Sequence, residues 1–100
     1  MSNKYDDVHA DQFYKAVLSL ESLEECRKFF EDVCTIKELQ DLIQRLQVAV
    51  MLDEGKNYQE ISKETSVSSA TISRVNRCLM YGDGGYRTVI DRMEKSNDGE

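Results

Sequence analysis

Between Tyr58 and Met80 the chain reads Tyr-Gln-Glu-Ile-Ser-Lys-Glu-Thr-Ser-Val-Ser-Ser-Ala-Thr-Ile-Ser-Arg-Val-Asn-Arg-Cys-Leu-Met, a run whose polar side chains are made for hydrogen bonding. Ser68, Ser69, Thr71 and Ser73 carry short hydroxyls, and Arg74 and Arg77 carry planar donors suited to phosphates and base edges. Ala70 is small enough to let a backbone sink into a groove. Gln59 and Lys63, slightly upstream, are placed to meet phosphates or flanking bases. These nine residues are the DNA-contact candidates. Nothing comparable points to catalysis, because the one histidine, His9, lies far in sequence from Cys26, Cys34 and Cys78, and no nucleophile signature surrounds any cysteine. The cysteines are odd in number and widely spaced, without a C-x-x-C pair. Reduced, mostly buried thiols are expected, with no metal, cofactor or disulfide framework implied.

Such residues need rigid presentation, and the same run has the pattern of a helix-turn-helix over 58–79. Two short crossing helices touch through few side chains, which makes the steric demands strict. Ile61 supplies the apolar contact on the first helix, and Ser62 is small where the helices come closest. Val67 follows the turn, and Ile72 and Val75 point inward from the second helix, for which Ser68 is a suitable N-cap. Two positions depart from the pattern. Ser66 stands where a positive φ would favour glycine, and Thr65 is polar where an apolar residue usually packs. The competing reading is a helical hairpin with a solvated face. Ser-Ser-Ala-Thr-Ile-Ser-Arg is, however, a poor choice for a purely structural helix.

The remaining elements read as helices too, since the chain has no proline and no alternating β-branched pattern. Ser22-Leu-Glu-Glu25 and Thr35-Ile-Lys-Glu38 are capping boxes, and Asn57-Tyr-Gln-Glu60 repeats their logic. An earlier helix is expected from about Asp11 to Leu20, with Phe13, Ala16, Val17 and Leu20 on one stripe. From Ile36 to about Glu54, Leu39, Leu42, Ile43, Leu46, Ala49 and Val50 form one apolar face, which Val48, Met51 and Leu52 widen. A helix apolar over most of its circumference needs cover on several sides. In a chain of 100 residues that cover is expected from a second copy, in an interlocked homodimer; a wrap by the chain's own neighbours is the alternative. Three glycines between Tyr81 and Tyr86 end the fifth helix, and a last helix, roughly Tyr86 to Met93, should dock through Val89, Ile90 and Met93. The expected organisation is a flexible leader over 1–10, one helical domain over 11–93 and a flexible tail over 94–100.

Charge cuts across this reading, since the chain carries a formal −6. Six basic and twelve acidic residues precede Lys56, whereas the segment 56–87 holds five basic and three acidic residues. Only that segment could attract phosphate, over a screening distance of about 8–10 Å. No apolar run approaches the ~20 residues of a membrane span, and no signal peptide is apparent, so a cytoplasmic protein without a membrane partner is expected.

At these residues the chain resembles the Trp repressor superfamily, and within it the YerC/YecD branch of small bacterial Trp-repressor-like proteins. Ala70-Thr-Ile-Ser-Arg74 is similar to the Ala-Thr-Ile-Thr-Arg of the repressor's reading helix. Asn76-Arg-Cys-Leu-Met-Tyr-Gly-Asp-Gly-Gly-Tyr86 resembles the segment characteristic of the branch, and Leu39 to Leu52 parallels the long central helix. The resemblance covers about Asp11 to Met93. It implies an all-α, six-helix, intertwined homodimer that places two reading heads on successive major grooves of double-stranded DNA and represses transcription. It also implies a candidate effector pocket at Arg45, Arg74, Val75 and Cys78, because in the tryptophan-responsive repressor an indole lies between two arginines matching Arg45 and Arg74. That repressor has glycine where Val75 stands and serine where Cys78 stands, so a small-molecule co-repressor is an open expectation and tryptophan itself is disfavoured. The alternative function is a protein-interaction adaptor that keeps the fold without specific DNA readout.

Overall fold

Helix starts are fixed by side chains closing on free backbone amides. In the computed structural model, which describes residues 8–98, Thr35 and Glu38 form both arms of a capping box, with the Thr35 N–H donating to Glu38 Oε1 at 2.9 Å and the Glu38 N–H to Thr35 Oγ1 at 3.1 Å. Asn57 and Glu60 do the same, both at 2.9 Å. The Ser22 box is only half as expected. Ser22 Oγ accepts from the Glu25 N–H at 3.0 Å, but Glu25 Oε1 accepts from the Glu21 N–H, one residue further out. Six helices and no strand result among the described residues: α1 (Val8–Leu18), α2 (Leu23–Val33), α3 (Ile36–Asp53), α4 (Tyr58–Thr65), α5 (Ser69–Tyr81) and α6 (Gly85–Asp98). α1 starts three residues before the expected Asp11, inside the proposed leader, and stops before Leu20. α6 continues five residues beyond Met93, into the proposed tail. Residues 1–7 of the leader and 99–100 of the tail lie outside the described residues. None of the described helices is long and apolar enough to cross a membrane.

The chain divides into two units, residues 1–39 and 40–100. In the first, an aromatic chain links α1 and α2, with Phe13 and Phe29 ring centroids 6.0 Å apart and Tyr14 and Phe30 flanking them. Neither helix contains a buried residue. Phe13, at the head of the expected stripe, is exposed, and Val8, Leu18, Leu23 and Ile36 are more than two-thirds exposed. Cys26 and Cys34 are free and half-buried, and Cys78 in the second unit is free and exposed, so none of the thiols is fully buried as expected.

The second unit holds the core: Val48, Ala49, Met51, Ile61, Val67, Ile72, Val75 and Ile90, with Val50, Leu52, Leu79 and Tyr86 packed against them. Ile61, Ile72 and Ile90 are almost entirely inaccessible, each contributing about 1.5–3 kcal/mol by burial. The buried positions of α3 differ from the expected face. Ala49 was shared with that face, but Val48 and Met51 come from its widening, while Leu42 and Ile43 are exposed. The physical reason is that α3 carries two apolar stripes and the α4–α6 core covers one of them. In α6 the docking contacts are Ile90 and Tyr86, whereas Val89 and Met93 face outward. Arg87 bridges α6 to the end of α3, its guanidinium donating to Asp53 at 2.8 Å and to Asp91 at 3.1 Å. Gly82 closes α5, where a Cβ would collide with the Cys78 carbonyl.

Candidate nucleic-acid interface

The two helices of the expected helix-turn-helix are α4 and α5, joined by Ser66, Val67 and Ser68. Ile61, Val67, Ile72 and Val75 clasp them, and all four are buried. Both departures from the pattern are resolved by geometry. Ser66 adopts the left-handed conformation with φ 62°, and its N–H donates to the Ser62 carbonyl, so serine does the work usually given to glycine. Thr65 is buried with its hydroxyl satisfied twice, donating to the Ile61 carbonyl at 2.7 Å and accepting from the Val67 N–H at 3.2 Å. A polar residue is tolerated there because it carries the chain through the turn.

Ser68 caps α5, its Oγ accepting from the Thr71 N–H and donating to Thr71 Oγ1, both at 3.2 Å. Those two hydroxyls are engaged in building the helix start, and Thr71 is only half exposed. Ser69, Ala70, Ser73, Arg74 and Arg77 are exposed along the rest of α5, as are Gln59 and Lys63 on α4. Among the described residues, Lys63, Arg74 and Arg77 take part in no ion pair, whereas Lys56 meets Glu64 at 3.6 Å and Arg87 is held by Asp53 and Asp91. The cations on the outer face of this pair of helices are thus uncommitted.

Tyr58, Gln59, Ser62, Lys63 and Ser69 line an open notch of about 380 Å³ between α4 and the start of α5. Its lining residues carry three hydroxyls, an amide and an ammonium, and no carboxylate. Tyr58 and Ser62 were not among the sequence candidates. Ser62 was read only as a small packing residue, and the signal for Tyr58 was its place directly after the Asn57 cap, where α4 begins.

Of the four residues of the candidate effector pocket, Arg45, Arg74 and Cys78 are exposed, while Val75 is turned into the core with 3% of its surface accessible. Near them stands Tyr86, half-buried, whose phenol is pushed above its ordinary range first by burial and then by the Cys78 thiol, with the Arg45 charge opposing.

The model of the Trp repressor protein family matches residues 8–94. The chain is 54% identical over 86 residues to the uncharacterized protein YerC of Bacillus subtilis (strain 168), covering 86% of this chain and 83% of that one. It is also similar to the crystal structure of a candidate Trp repressor from Staphylococcus aureus, with TM-score 0.85 and 46% identity over 88% of both chains. A TrpR-like protein from Eubacterium eligens ATCC 27750 superposes with TM-score 0.89 and 48% identity, over 93% of this chain and 96% of that one. A match across almost every described helix, with these identities behind it, makes the chain a member of the Trp repressor protein family.

Proposed function

We propose that the chain is a sequence-specific DNA-binding transcriptional regulator, acting as a homodimer that represses by occupying an operator. Family membership supports a regulator rather than an enzyme. The observation that carries the reading is the clasped α4–α5 pair, whose inward residues are all buried while Ser69, Ala70, Ser73, Arg74 and Arg77 remain outward. In this reading α5 enters the major groove, Ser69, Ser73 and Arg74 address base edges, and Gln59, Lys63 and Arg77 fix the register on phosphates. Ser68 and Thr71 contribute by holding the start of α5.

The dimer is supported by the apolar surface one copy leaves uncovered: α1 and α2 contain no fully buried residue, and Leu42 and Ile43 of α3 are exposed. Selection of binding sites from random duplexes tests the whole reading. The expected product is a palindrome with half-sites about one helical turn apart. Arg74→Ala and Ser73→Ala should then weaken binding to that site while leaving the fold intact, because both positions are exposed. The net acidic charge favours a second reading, the protein-interaction adaptor; retention of one stoichiometric protein partner with no duplex selected would establish that instead.

A further inference from the structure

The outermost edge of α5 is narrower than the set of its exposed residues. At about 100° of rotation per residue, Ala70, Arg74, Arg77 and Tyr81 fall on one ridge, opposite Ile72, Val75 and Leu79, which meet the core. All four ridge residues are exposed, Tyr81 at 83%. Ser69 lies to one side of the ridge, where it lines the notch with Tyr58, Gln59, Ser62 and Lys63 of α4. A groove that α5 enters by its N-terminal turns would therefore meet Ala70 first on this ridge, and Arg74 one turn later.

The chemistry of that edge is as selective in what it lacks as in what it holds. No exposed residue of α5 is Asn, Gln, Asp or Glu, and Asn76 is half-buried. The ridge thus has no bidentate partner for adenine and no acceptor for the amino group of cytosine. Arg74 takes part in no ion pair among the described residues, which leaves its fork open to guanine O6 and N7. Ala70 offers a methyl group and no polar side-chain atom, a match for the methyl of thymine. Serine hydroxyls both donate and accept, so Ser69 and Ser73 can hold a base edge without choosing it. Along the helix axis Ala70 and Arg74 are about 6 Å apart, against about 3.4 Å for one base step. We propose that each α5 selects a guanine through Arg74 and a thymine methyl through Ala70, about two base steps apart, and reads neither adenine nor cytosine through hydrogen bonds of its own. The inference rests on the DNA-binding reading and goes beyond it by naming the bases. Arg77, further from the N-terminal turns, is left to the backbone.

The test uses the full chain and a duplex obtained by selection from random sequences, with single atoms then changed in one half-site. Binding is measured at low salt, where weakened variants still bind. Replacing guanine by 7-deazaguanine, which lacks the N7 acceptor, should weaken binding about tenfold at one position. Replacing thymine by uracil, which lacks the methyl group, should weaken it about fourfold at a position within about three steps of that guanine. 7-Deazaadenine should have no effect at any position. Arg74→Ala should abolish the guanine effect alone, and Ala70→Gly the uracil effect alone. Each variant is compared on modified and unmodified duplexes, so a general loss from a looser helix cancels. An effect that survives in its own variant overturns the proposal. So does an adenine as sensitive as the guanine, or a selected duplex indifferent to both changes, and in each of these cases the DNA-binding reading stands. If no duplex is selected at all, that reading falls and the base assignment falls with it.

Discussion

At the scale of single residues, the turn between α4 and α5 is where local chemistry and function are most tightly joined. Ser66 holds a left-handed conformation that costs a side-chain-bearing residue about 1–2 kcal/mol, partly offset by the entropy a glycine would lose on folding. Ser66→Gly should therefore stabilise the protein by about 0.5–1 kcal/mol, seen as a higher urea midpoint at unchanged slope. Thr65→Val makes the opposite point. Valine keeps the shape but removes the acceptor for the Val67 N–H in a buried setting, and should cost about 1–3 kcal/mol in the same measurement. A neutral result would mean that water reaches that amide. The positive φ was legible in the sequence, because a turn of three residues between crossing helices leaves few conformations for position 66. The double role of the Thr65 hydroxyl was not, since the pattern marks that position only as one that packs.

At the scale of elements, caps proved more legible than faces. Thr35 with Glu38 and Asn57 with Glu60 close as reciprocal pairs because a hydroxyl or amide three residues before a glutamate has few other partners. The buried face of α3 was misread because periodicity reports how many apolar positions a helix has, not which of two stripes its own chain will cover. The extra length of α6 was hidden for a similar reason: Lys95, Ser96 and Asn97 carry no apolar signal, yet continue a helix that docks through Tyr86 and Ile90. What anchors α6 polarly is Arg87, whose hydrogen bond holds the Asp53 carboxyl below its ordinary range despite the opposing effect of burial. A depressed carboxylate pKa contributes stability that is fully present above the unfolded value and fades as pH falls through the folded one. Asp53→Asn should accordingly lower the melting temperature at about pH 7, and the gap to the parent should narrow as the pH falls below the ordinary carboxylate range. The effect should be small, since Arg87 is half in water. A gap that stayed constant across that range would assign the loss to packing rather than charge.

At the scale of the whole molecule, the proposed dimer and the proposed DNA complex make linked demands on a chain with a formal charge of −6. Two acidic protomers repel at long range, so the association must come from the apolar surface left bare on α1, α2 and the early part of α3. A protein that folds as a dimer melts at a temperature that rises with its concentration, and this chain should do so; a midpoint independent of concentration would count against obligate association. The acidic protein also has to approach a polyanion, which it can do only through the segment 56–87, where Lys63, Arg74 and Arg77 lack ion-pair partners among the described residues. Affinity should fall with rising salt, with a logarithmic slope near −0.9 for each phosphate neutralised. Lys63→Gln should reduce that slope by about one unit for each head engaged, and weaken selected and unrelated duplexes alike. Arg74→Ala should instead erase most of the preference for the selected duplex, at about 1–3 kcal/mol per head. The contrast between these variants separates a residue that reads bases from one that holds a phosphate. Equal losses on every duplex from both would make α5 a general anion-binding edge and leave its run of serines without a reading role.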